Sequence, residues 1–163
     1  LAPARAPVAP ASACERCGLP IDTRHFDSSG FAPLPERGRE ALLARVQLSP
    51  QYCGTLQLFS QYTDQQARQP EAVETPGLHW LILVNHQVLD PYLDLQHIAN
   101  PWGFGSFELH VRLPEGATLE FIVRRDLTAA DPKGVTRVGG RLCGRYWYDE
   151  SFGARGRRDG HAP

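Results

Sequence analysis

The strongest constraint on this chain is a period of two in its apolar residues. In SFELHVRL, Phe107, Leu109, Val111 and Leu113 fall on one side and Glu108, His110 and Arg112 on the other. TLEFIVRR repeats the pattern with Leu119, Phe121 and Val123. Runs of this kind bury one face of a β-strand. PEGA (114–117) lies between them, with a glycine available for positive φ, and predicts a hairpin. EALLARVQL predicts a strand with Leu42, Ala44, Val46 and Leu48 on one face, and GTLQLFSQY one with Leu56, Leu58 and Tyr62. LHWLILV (78–84) is almost wholly apolar, as in a strand covered on both faces. A last strand, roughly Thr136 to Tyr148, contains Gly139-Gly140, where a bulge or bend is expected.

Helical signals are sparse. DLQHIAN suits one turn, and TDQQARQPEAVE a short helix that Pro70 ends. Short strands separated by Pro/Gly turns predict an all-β fold, an antiparallel β-sandwich or jelly roll. Its domain is expected over residues 39–150. Residues 14–38, rich in proline and glycine around a CxxC, are expected to be irregular.

Both ends differ from this body. Residues 1–13 carry Pro3, Pro7 and Pro10, which favour an extended, polyproline-like N-terminal arm and break the apolar core a secretory signal needs. Residues 151–163 form a tail with Arg155, Arg157 and Arg158. Segments of this composition gain order against a neighbour, so both ends are expected to lie on neighbouring subunits. The net charge of −1 supplies no basic field for nucleic acid, and no apolar run approaches the length of a membrane span.

The four cysteines are Cys14, Cys17, Cys53 and Cys143. CERCG resembles a zinc knuckle, in which a tight turn aims two thiolates at one ion. A structural zinc is therefore a candidate cofactor, completed by Cys53 and Cys143, with His25 as an alternative ligand. Disulfides and free thiols stay open as rival assignments. A thioredoxin-like role needs a helix after the CxxC, and here a loop follows.

Catalytic motifs are absent: there is no GxSxG, P-loop or GxGxxG, so no enzyme activity is expected. GFGSFE leads into a strand and lacks a helix N-terminus for phosphate. The six histidines are scattered without HxH or HExxH spacing. Aromatics cluster in NPWGFGSF and GRYWYDE, where Trp102, Phe104 and Trp147 are candidates for an interface or a ligand platform. Period two also puts Tyr146 and Tyr148 on one strand face and Trp147 on the other.

A compact β-sandwich, a proline-rich arm and a basic tail together resemble the accessory proteins of tailed-bacteriophage virions. The resemblance is one of plan, over the whole chain. It implies a structural head decoration (cement) protein or a neck or tail component. Such a protein clasps major capsid or neck/tail subunits, with homo-oligomers expected and the virion as its location. A carbohydrate-binding β-sandwich module, stacking sugars on Trp102, Phe104 and Trp147, is the alternative. A zinc-containing enzyme is a third.

Overall fold

A computed structural model describes residues 20, 23–64, 77–89, 107–132 and 134–149. They contain β1 (Arg24–Pro33), β2 (Glu40–Gln47), β3 (Tyr52–Thr63), β4 (Leu78–Val84), β5 (Gln87–Val88), β6 (Phe107–Leu113), β7 (Thr118–Arg125) and β8 (Arg137–Tyr148). No helix lies wholly within the described residues. The arm (1–13), the tail (151–163), DLQHIAN and TDQQARQPEAVE beyond Asp64 lie outside them.

The strands form two antiparallel four-stranded sheets, ordered β1-β8-β3-β6 and β2-β7-β4-β5. Each sheet interleaves early and late strands, the order of an eight-stranded jelly roll. The expected all-β sandwich is the observed fold. Between the sheets, Leu56, Phe59 and Leu142 meet Leu78, Trp80, Ile82, Leu119, Phe121 and Val123 in one core. Phe59 and Phe121 touch edge to face across it, their centroids 6.2 Å apart. Leu81 is buried as well but lies outside this core, so β4 is covered on both faces.

Four expectations are corrected. First, β6 and β7 do not form a hairpin: β6 pairs with β3 in one sheet and β7 with β2 and β4 in the other. PEGA is an arch from sheet to sheet. Its Gly116 takes φ 63°, and its turn is closed by the Ala117 N–H donating to the Pro114 carbonyl at 3.2 Å. Two strands that each bury one face look the same in sequence whether they pair or face each other. The true two-residue hairpin joins β4 to β5 through Asn85 and His86, both at positive φ.

Second, part of the segment expected to be irregular is a strand. In β1, Phe26 and Ala32 pack on the core while His25, Asp27, Ser29 and Phe31 are exposed. Serine, glycine and aspartate lower its β propensity, but ten consecutive pairs with β8 override that weakness.

Third, Gly139 and Gly140 stay in continuous register with both neighbours. The glycines serve close approach. A β-carbon on Gly140 would sit 2.4 Å from the Phe121 ring on the inner face. One on Gly139 would sit 2.0 Å from the Tyr62 ring on the outer face.

Fourth, the register shifts lie in β2, between Leu42 and Ala44, and in β3, between Leu56 and Leu58. A one-residue shift reverses which face every later side chain takes. Phe59, Gln61 and Thr63 are therefore buried, and Leu58 and Tyr62 move to the outer face. In β2, Leu43 and Ala44 both enter the core and Leu42 is left outside, 52% exposed.

Candidate functional site

The outer face of the first sheet carries a depression of about 550 Å³ lined by Asp27, Ser29, Phe31, Tyr62 and Arg141. Register builds it. Successive outward rows across β1, β8 and β3 are Asp27–Cys143–Leu58, Ser29–Arg141–Ser60 and Phe31–Gly139–Tyr62. The last row has an aromatic ring on each side of a glycine. With no side chain between them, the rings meet edge on, their centroids 4.3 Å apart at 60°. The Tyr62 hydroxyl donates to the Gly30 carbonyl at 3.2 Å, which fixes its ring. The Arg137 guanidinium lies 5.3 Å from the Phe31 centroid, a cation–π contact. Phe31 nonetheless remains 62% exposed.

The polar side of the depression is an ion pair. Arg141 Nε donates to Asp27 Oδ1 at 2.8 Å, and Nη2 donates to Oδ2. The Arg141 hydrogen bond holds the Asp27 carboxyl below the ordinary aspartate range, and the carboxylate in turn raises Arg141. Both stay charged, and their charges cancel locally. The Cys143 thiol donates to Asp27 Oδ1 at 3.5 Å. Burial and then the Asp27 carboxylate push that thiol upward, so it stays protonated at neutral pH. Burial likewise raises the Tyr62 phenol. The set is thus a locked ion pair beside an aromatic wall.

The outer face of the second sheet is different. Its rows across β2, β7 and β4 are Glu40–Arg124–His79, Leu42–Ile122–Leu81 and Arg45–Glu120–Leu83. An aliphatic row therefore runs across the sheet with charged residues in the rows on each side. Arg45 Nε lies 3.7 Å from Glu120, His86 Nδ1 lies 2.9 Å from the same carboxylate, and His79 Nε2 lies 2.9 Å from Asp126.

The residues singled out from sequence fall elsewhere. Cys14, Cys17, Trp102 and Phe104 lie outside the described residues. Cys53 and Cys143 are free thiols on the first sheet. Cys53 pairs with Trp147, four residues along β8 from Cys143. At about 3.3 Å per residue that is ~13 Å. Zinc–sulfur bonds of about 2.3 Å hold two thiolates on one ion within roughly 4.6 Å of each other. One ion therefore cannot hold both, and the four-thiolate set drawn from all the cysteines fails on geometry. His25 is exposed opposite Arg145, diagonal to Cys143 across β1 and β8. Among the described residues, no three His, Cys, Asp or Glu side chains come together as a metal site. Trp147 is half-buried, away from the depression. The Tyr52 ring contacts both Tyr146 and Tyr148, which share a face as expected.

The Phe31–Tyr62 pair escapes a reading of the sequence. Period two continued through β3 puts Tyr62 with Leu56 on the core face, and only the register shift moves it out. The one available signal was FDSSGF, whose alternation places Asp27, Ser29 and Phe31 on one side.

No protein-family model and no curated protein matches this chain. Among solved structures, the crystal structure of FLHE aligns with 78% of this chain and 98% of its own, at 14% identity and a TM-score of 0.43.

Proposed function

We propose that this chain is a structural assembly protein, a virion component of the head decoration or neck/tail kind, which binds neighbouring protein subunits through a rigid β-sandwich. The observation that carries this is Leu42 on the outer face of the second sheet, beside half-buried Ile122; Leu81, at the far end of the same row, is already covered. Leu42 is 52% exposed there because the β2 bulge excludes it from the core. An exposed leucine beside a half-buried isoleucine, flanked by charged rows, has the make-up of an interface centre with a polar rim. The jelly-roll order adds a fold-level analogy, since viral capsid and lectin domains share that plan. The proline-rich arm and the basic tail add contact area without enlarging the core. Several weak contacts joined in one chain raise avidity through effective concentration.

Sedimentation of the full chain tests this. The wild type is expected to self-associate as concentration rises. Leu42→Glu is expected to abolish that association, with an unchanged β-sheet circular dichroism spectrum and Tm. Association that survives Leu42→Glu would remove the second sheet's face from the account.

A further inference from the structure

The first sheet's depression belongs to neither the core nor the proposed assembly face. We infer that it is a saccharide-binding site, taking a pyranose ring of a neutral oligosaccharide against Phe31 and Tyr62, with its hydroxyls on Asp27 and Arg141. This goes beyond the assembly role and rests on the opposite sheet.

Four observations combine. The first is shape: about 550 Å³ lies within the range of small-ligand sites, and the two rings that wall it meet over Gly139, where no side chain separates them. The second is preorganisation. Tyr62 is tied by its hydroxyl to the Gly30 carbonyl, and Phe31 is braced between Tyr62 and Arg137. A wall already fixed costs little ordering when a ligand arrives. The C–H face of a pyranose is apolar and flat enough to cover such a wall.

The third is polar matching. Arg141 spends Nε and Nη2 on Asp27, which leaves N–H groups of Nη1 and lone pairs of the carboxylate for a ligand. Donor and acceptor side by side are what vicinal hydroxyls need, since each hydroxyl both donates and accepts. Ser29, opposite Arg141 in register, supplies a further hydroxyl at the lining.

The fourth is charge and backbone. Asp27 and Arg141 cancel, so the polar side offers an anion no net attraction. An added peptide strand would pair along the sheet edge at β1, whereas the depression opens on the face of the sheet over β1, β8 and β3. A ligand that stacks and hydrogen-bonds with side chains fits the face better than one that extends the sheet.

The experiment is NMR titration of the full-length protein with unbranched hexasaccharides of glucose, galactose, mannose and N-acetylglucosamine, and with one sulfated counterpart. At least one neutral sugar is expected to shift resonances of β1, β3 and β8 around Ser29, Tyr62 and Arg141, with Kd from about 0.1 to a few mM. Phe31→Ala and Tyr62→Ala are each expected to weaken binding about tenfold. Asp27→Asn weakens it too and leaves the stack in place. Leu42→Glu is expected to leave sugar binding unchanged, and Phe31→Ala to leave self-association unchanged, so the two roles fail separately. No shift with any of the neutral sugars overturns the site. So does binding that Phe31→Ala leaves intact. Binding confined to the sulfated sugar and lost on adding salt would show an anion contact at Arg137 and would overturn it equally.

Discussion

Tyr62 lies over Gly139, where a β-carbon on the glycine would come within 2.0 Å of its ring. The neighbouring glycine faces the other way, against Phe121, which is wholly buried. Two adjacent glycines thus serve two faces of one sheet. Gly140→Ala is expected to destabilise the fold by about 1–3 kcal/mol, because the Phe121 ring has no room to move. Gly139→Ala is expected to cost less, about 1 kcal/mol, since the half-exposed Tyr62 ring can be pushed toward solvent at the loss of its one hydrogen bond to Gly30. It should nonetheless close the depression. Urea denaturation of both variants checks this ordering, and equal losses would contradict it.

Asp64 joins the end of β3 to the start of β8. Its Oδ1 accepts from the Thr136 N–H at 2.9 Å and from the Arg137 N–H at 3.2 Å, and its Oδ2 accepts from the Thr136 hydroxyl. Burial works against the charged form, but these hydrogen bonds outweigh it and lower the carboxyl from its ordinary 3.8. A lowered folded-state pKa means that the unfolded chain takes up the proton first as pH falls. The stabilisation is complete above the ordinary value and is lost as pH drops through the folded one. Asp64→Asn is expected to lower stability by about 1 kcal/mol at neutral pH. It should also make the loss of Tm below about pH 4 shallower than in the wild type. Thermal melts at several pH values measure both effects, and an unchanged acid limb would contradict the role given to the Asp64 bonds with Thr136 and Arg137.

Cys53 and Cys143 are expected to stay unlinked to each other, because bridged cysteines need Cα atoms within about 7 Å. Burial raises both thiols above the usual 9.0. Alkylation by iodoacetamide at neutral pH should therefore be slow at both sites, slowest at buried Cys53, and should accelerate on unfolding. Mass spectrometry after a timed quench reads this. Rapid labelling of Cys143 in the folded protein would contradict burial, aided by the Asp27 contact, as what holds its proton.

Much of the fold was legible in the chain. LHWLILV is β4 residue for residue, and the alternation in FELHVRL and TLEFIVRR marks β6 and β7. What alternation does not carry is the partner: the same buried face serves a hairpin or an arch, and PEGA turned out to be an arch. Nor does it carry a register shift. Leu42 and Tyr62 were both expected on core faces, and a bulge moved each to the outside. Those two misassigned residues lie on the two candidate surfaces, so the pattern broke where the proposed contacts would be made. Serine and glycine in β1 hid a strand whose stability comes from β8 rather than from its own propensity.

On the proposed reading, this sandwich works as a subunit of a larger assembly. Native mass spectrometry of the full chain, with metal content measured on the same sample, tests it most directly. The account predicts a defined multiple of the 18.1 kDa chain that Leu42→Glu reduces to one copy. If zinc is bound through Cys14 and Cys17, chelation should remove it and leave the β-core folded. A single 18.1 kDa species at every concentration, unchanged by Leu42→Glu, would contradict self-assembly through the second sheet.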